Sequence, residues 1–162
     1  MPAERSLDRI DRAILAELQH DGRLTNQRLA EKVALSPSAC LARVKRLEAA
    51  GVIRGYTARV APSALGLPVT VFAELTLATH DLRRVRAVEV ALRAMPEVVE
   101  ALQVSGSYDY LVRFVVSDMD RWSVLADSLF DGDLPLQKIV TVVMMKEIKS
   151  GGMLPMDTGA LP

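Results

Sequence analysis

The sequence predicts an α+β chain of two modules, three short helices followed by a βαββαβ unit. Three observations predict it: apolar residues recur at helical spacing up to residue 51, the period changes to two at Val69, and strand and helix patterns then follow in the order strand, helix, strand, strand, helix, strand. A chain of 162 residues can form one domain or two small ones, and 50 % hydrophobic with 25 % charged residues is an ordinary globular composition. Aromatics are only 4 %, so the cores must be built from aliphatic residues and methionine.

In the first helix Leu7, Ile10, Ile14, Leu15 and Leu18 share a face, and His20-Asp21-Gly22 stops it. Thr25 caps the second helix, which turns Leu29, Ala30 and Val33 inward. After a tight turn at Ala34-Leu35, the third begins at Ser36-Pro37, where the proline's missing N–H costs nothing. Leu41, Val44 and Leu47 are its expected inward residues, and Gly51 ends it just beyond the cap. Two short helices across a tight turn, the second opened by Ser-Pro, form the pattern of a helix-turn-helix.

The outward positions of the third helix are then Ser38, Ala39, Cys40, Arg43 and Arg46. Small residues at its start allow approach to base edges in a major groove, and Arg43 and Arg46 can reach guanine or phosphate. The free N–H groups of residues 36–38 suit a phosphate as well. Residues 52–60 read as extended, which makes the motif winged, with Arg54 and Arg59 near a nucleic-acid backbone. Cys40 reads as a small helix residue at that surface and His20 as a solvated residue near a helix end.

Pro62 to Pro68 holds two prolines and a glycine and reads as a linker. Val69, Val71, Ala73, Leu75 and Leu77 then alternate with Thr70, Phe72, Glu74 and Thr76 as a strand. His80-Asp81 leads into a helix with a stripe of Leu82, Val85, Val88, Leu92 and Met95, which Pro96 ends. Two strands, Val98–Ser105 and Tyr108–Val116, are joined tightly at Gly106-Ser107. A helix capped at Ser117-Asp118 turns Met119, Trp122, Ala126 and Leu129 inward, and a last strand, Lys138–Ile148, is apolar on both faces. This order is the ferredoxin-like, ACT-like split unit. Its helices cover one face of the sheet, so a doubly apolar strand calls for a second cover, and another copy of the chain is the simplest one.

Formal net charge is zero, but up to Ala61 eleven Lys/Arg stand against seven Asp/Glu, a net +4, and the rest carries −4. A basic first module facing a polyanion fits this split. The longest uncharged stretch, Val60–Ala73, is 14 residues with two prolines, too short to span a bilayer. The first nine residues hold no apolar run of a secretory signal, and one cysteine excludes an internal disulfide, so the expected location is cytoplasmic. Cys40, His20 and His80 lack metal-ligand spacing, and no cofactor is expected. No paired-carboxylate, Ser-His-Asp or Cys-His arrangement and no Gly-rich phosphate loop is present, which argues against an enzyme.

These residues together resemble the Lrp/AsnC, or feast/famine, transcriptional regulators, nearest to their leucine-responsive branch. Leu7-Asp8-Arg9-Ile10-Asp11-Arg12 with Ile14-Leu15 is similar to the family's opening helix, and Leu35 through Glu48 to its recognition helix. Gly51–Tyr56 resembles its wing, and Val104-Ser105-Gly106-Ser107-Tyr108-Asp109-Tyr110 its amino-acid-binding hallmark. The resemblance covers about residues 5 to 150. It implies a nucleoid-associated regulator that binds double-stranded promoter DNA as dimers assembling to octamers, with a free amino acid bound between dimers. The implied DNA residues are Thr25, Asn26, Gln27, Ser36, Pro37, Ser38, Cys40, Arg43 and Arg46, to which the wing reading adds Arg54. The implied effector residues are Val104, Gly106, Tyr108, Asp109, Met119, Val143 and Met144, with backbone amides for the α-carboxylate and Asp109 for the α-ammonium. Gln103 and Met144 depart from the apolar residue and the valine of the leucine-responsive branch, so the effector is leucine or another apolar amino acid. The sirohaem decarboxylases share the architecture but depend on histidine, and no histidine follows His80. A ligand-independent architectural DNA-binding protein of the same family is the alternative. The expected boundaries are 1–61 for the winged helix-turn-helix, 62–68 for the linker, 69–150 for the ligand-binding and oligomerisation domain, and 151–162 for a flexible tail.

Overall fold

The structure, a computed structural model, describes residues 7–79, 81–131 and 134–156; the expectations placed on residues 1–6, His80 and 157–162 lie outside it. The chain divides into two compact units, one running to Ala58 and resuming at Lys149, the other spanning Arg59–Ile148.

The first unit holds α1 (Arg9–His20), α2 (Asn26–Lys32) and α3 (Pro37–Ala49). Each starts on a side chain that satisfies an orphan N–H. Asp8 and Asp11 form a reciprocal capping box on α1, Thr25 accepts from the Arg28 N–H, and Ser36 from the Ala39 N–H. Gly51, at φ +69°, closes α3: its N–H donates to the Glu48 carbonyl and that of Val52 to the Leu47 carbonyl. The core gathers Ile14, Leu15, Leu29, Ala30, Val33, Cys40 and Leu47, with Val44 and Ile53 at its margin.

Three features differ from expectation. The buried side of α3 is formed by Cys40 and Leu47, with Val44 half-buried at the core margin, while Leu41 is exposed, so the inward stripe runs through Cys40 rather than Leu41 and keeps Val44 and Leu47. Residues 52–60 form no ladder with a strand among the described residues. The C-terminal residues are not free as far as Met156, which packs on this core. The Gln19 amide also pairs with the backbone of Leu154, accepting its N–H at 2.6 Å and donating to its carbonyl at 3.4 Å.

In the second unit the expected linker opens with a 3-10 turn, Pro62–Leu65, ended by Gly66 at φ +71°. β1 (Val69–Leu77), α4 (Leu82–Ala94), β2 (Val98–Gln103), β3 (Tyr110–Val116), α5 (Met119–Asp131) and β4 (Leu136–Val143) follow. The sheet order is β2-β3-β1-β4, with every neighbouring pair antiparallel. Val71, Ala73, Leu75 and Leu77 of β1 and Tyr110, Val112 and Phe114 of β3 meet Val88 and Leu92 of α4 and Trp122, Leu125 and Leu129 of α5. The opposite face carries Phe72, flanked in register by Arg113 and Val142, and Glu74, flanked by Leu111 and Val140. Leu82 is exposed, Leu125 is buried where no inward residue was expected, and β4 ends at Val143 rather than at Ile148.

Candidate nucleic-acid interface and effector site

The start of α3 is open. Pro37 and Ser38 are exposed, Ser36 and Ser38 share a hydrogen bond at 3.2 Å, and Thr25 and Gln27 are exposed beside them on α2. Asn26 is half-buried and holds the two helices together, its Nδ2 donating to the Pro37 carbonyl at 2.8 Å while its Oδ1 is buried without a partner.

Arg43 and Arg46, expected as free outward cations, are held within the unit. Arg43 Nη1 lies 2.6 Å from Asp8 Oδ2 and 2.8 Å from Asp11 Oδ1, and Arg46 Nη2 donates to both Asp11 oxygens at 2.6 Å. The Arg43 guanidinium holds the Asp8 carboxyl below its ordinary pKa, and the two carboxylates raise that of Arg43. The Asp11 side chain is 4 % exposed, against 28 % for Arg43 and 46 % for Arg46. Asp8 caps α1 and Asp11 lies in its first turn, and only tertiary packing sets the pair against α3. Arg54 is exposed and makes no ion pair among the described residues.

Cys40 is a correction. It is fully buried among the core residues of this unit, because the phase of α3 turns it inward, and it cannot touch a surface ligand there. Burial pushes its thiol pKa up, which keeps it neutral.

The effector residues fall into two groups on the second unit. Val104, Gly106, Tyr108 and Asp109 lie in the turn between β2 and β3, which meets β1 at Leu75 and Leu77. Val143 pairs with Val71 and the Met144 N–H donates to the Thr70 carbonyl, at the other end of β1. Met119 follows the end of β3, whose Val116 pairs with Val69. Four to eight residues of strand, about 13–26 Å, separate the groups in one chain. Met119 is 41 % exposed rather than inward: it heads α5, one turn before Trp122 packs on Phe114 with ring centroids 5.0 Å apart.

Asp109 is tied to β1 at two points and to its own turn at a third. Its N–H donates to the Leu75 carbonyl at 2.8 Å, its carbonyl accepts from Val104, and its Oδ2 accepts the Leu77 N–H at 2.7 Å. Leu77 sits where the β1–β4 register shifts, so the carboxylate satisfies an N–H near that irregularity. Gly106 adopts φ +139° in open space, so its dihedral rather than a close neighbour selects glycine. A separate cleft of about 460 Å³ between α4 and β2, lined by Glu89, Arg93, Glu100, Gln103 and Tyr110 among others, includes none of the expected effector residues. Among the described residues no His/Cys/Asp/Glu cluster could hold a metal, and no helix is long and apolar enough to cross a membrane.

Comparison with known proteins places both units. Residues 7–54 match the winged helix-turn-helix DNA-binding family and residues 70–154 the Lrp/AsnC ligand binding domain. The chain is 40 % identical over 156 residues to the leucine-responsive regulatory protein of Escherichia coli, covering 95 % of this chain and 94 % of that one. A transcriptional regulator of Neisseria meningitidis, solved as an L-Met complex, superposes with a TM-score of 0.87 at 34 % identity, covering 94 % of this chain and 98 % of the other. An AsnC family transcriptional regulator from Agrobacterium tumefaciens gives 0.85 at 34 % identity, over 93 % and 97 % of the two chains.

Proposed function

Because the chain belongs to the Lrp/AsnC family of DNA-binding transcriptional regulators, with an amino-acid ligand-binding domain and no enzymatic role, we propose that it is an amino-acid-responsive regulator of cytoplasmic promoter DNA. The observation that carries this reading is the pairing of an open α3 N-terminus, bearing Ser36, Pro37 and Ser38, with a βαββαβ unit whose effector residues lie at the two ends of β1. Ser36, Pro37, Ser38, Thr25 and Gln27 meet the DNA, with Arg43 and Arg46 as further donors and Arg54 adding charge. Asn26 acts by holding the two helices in register.

The chain works as a dimer through the open sheet face, where Val142 and Leu102 are about half exposed, and dimers assemble to octamers on DNA. The separation of the two effector groups supports a pocket completed by a second copy, the turn of one chain meeting the Met119, Val143 and Met144 end of another. None of those three is charged, so the ligand is a free apolar amino acid. Methionine, bound in the Neisseria meningitidis regulator, and leucine are the first to test.

The engagement of Asp109 with Leu77 favours a second reading, a ligand-independent architectural DNA-binding protein whose turn is purely structural. Fluorescence anisotropy on a duplex selected from a random library, at fixed salt, with each of the twenty amino acids in turn, separates the two. A shift by one or a few apolar amino acids supports the first reading. Binding that none of them alters supports the second, and no preference for any duplex overturns both.

A further inference from the structure

Among the described residues Asp11 is the one charged residue that is buried, at 3 % exposure. A carboxylate taken out of water must be matched by donors, and Asp11 finds them in the Asp8 N–H and in two guanidiniums of α3. The contacts are one-sided. Arg43 is engaged through Nη1 alone and Arg46 through Nη2 alone, so the Nε and the other Nη of each have no partner in the described chain. Two carboxylates against two guanidiniums also leave the cluster with no net charge. Arg28, Lys45 and Arg54 contrast with it, being exposed and without ion pairs among the described residues.

We infer that Asp11, assisted by Asp8, is a specificity-determining residue that holds Arg43 and Arg46 as neutralised, fixed donors for base edges. The inference rests on the proposed placing of those arginines at the DNA. A phosphate gains little from a guanidinium already paired with a carboxylate. A guanine edge offers two acceptors in fixed geometry and can use the remaining donors without breaking the pair. Holding the side chains in one rotamer also removes ordering cost at binding. Diffuse phosphate attraction is left to Arg28, Lys45 and Arg54, and the cluster lowers affinity for wrong sequences more than for the right one.

The test is Asp11→Asn and Asp8→Asn in the full chain, the latter keeping a good N-cap. Binding is measured over a salt series to the duplex that the wild-type protein selects from a random library and to a scrambled duplex of equal length. Asp11→Asn should raise affinity for the scrambled duplex, steepen its log–log salt slope by about 1–2, and lower the selected-over-scrambled ratio about tenfold. Unchanged slope and ratio in a variant with the wild-type circular dichroism spectrum overturn the inference. Should Asp11→Asn not fold, Asp8→Asn decides it, with a slope change of about one expected and none overturning it. Arg43→Ala and Arg46→Ala are run in parallel. If they weaken binding while the aspartate variants behave as wild type, only the inference fails; if neither weakens it, the placing of these arginines at the DNA fails and takes the inference with it.

Discussion

The carboxylate of Asp109 accepts the backbone N–H of Leu77 at 2.7 Å, across 32 residues of sequence. An effector ammonium would therefore meet a carboxylate that already holds β1. Asp109→Ala orphans a part-buried N–H and should cost about 1–2 kcal/mol of stability, read as a lower melting temperature. Asp109→Asn keeps an acceptor for Leu77 and removes the charge, so it should recover most of that stability and still lose the amino-acid response. A normal response in Asp109→Asn would move the ammonium partner elsewhere.

Arg46 and Asp11 should be energetically coupled. A double-mutant cycle with Arg46→Ala and Asp11→Asn should give a coupling of about 1 kcal/mol, moderated by the half-exposed arginine and by the second partner, Arg43. Strict additivity in chemical denaturation would show the contact to be energetically idle.

Asp8 and Glu97 titrate below their ordinary values, 3.8 and 4.5, because of Arg43 and Arg121 respectively. A carboxyl whose folded-state pKa is depressed stabilises the fold fully above its unfolded value and loses that contribution as pH falls through the folded one. Melting temperature should therefore decline below about pH 4, and Asp8→Asn should make that decline shallower. An acid limb of the same steepness in Asp8→Asn would remove Asp8 from the account.

Ala34 turns the chain between α2 and α3 at φ +54°, in the left-handed region where a Cβ is disfavoured. Ala34→Gly relieves that strain at some cost in unfolded-chain entropy, for a net gain of about 0.5–1 kcal/mol. A thermal melt should move upward, and a downward shift would mean that the Ala34 methyl is more useful than its dihedral is costly.

The Gln19 amide is the visible tie between α1 and Leu154. In Gln19→Ala, hydrogen exchange at the Leu154 amide should accelerate while amides in the buried part of α3 keep their protection. Unchanged protection at Leu154 would mean that the packing of Met156 alone seats the segment.

By itself the sequence determined what depends on near neighbours. The caps at Thr25 and Ser36, the glycine stop at Gly51, the alternation of β1 and the order of the βαββαβ elements all follow from residues a few positions apart. The motif resemblance extended this to the family. Only the tertiary structure decided which way ambiguous faces turn and which distant groups meet. Cys40 and Leu41 are both small enough or apolar enough to line a core, and the packing of α3 against α1 and α2 chose Cys40. Asp11 looks like a first-turn acidic residue until α3 places two guanidiniums over it, 32 and 35 positions along the chain. The register of β1 with β3 and β4 likewise sets the effector residues at opposite ends of one strand. Such pairings arise from burial and hydrogen-bond satisfaction between segments far apart in sequence, which local pattern does not encode.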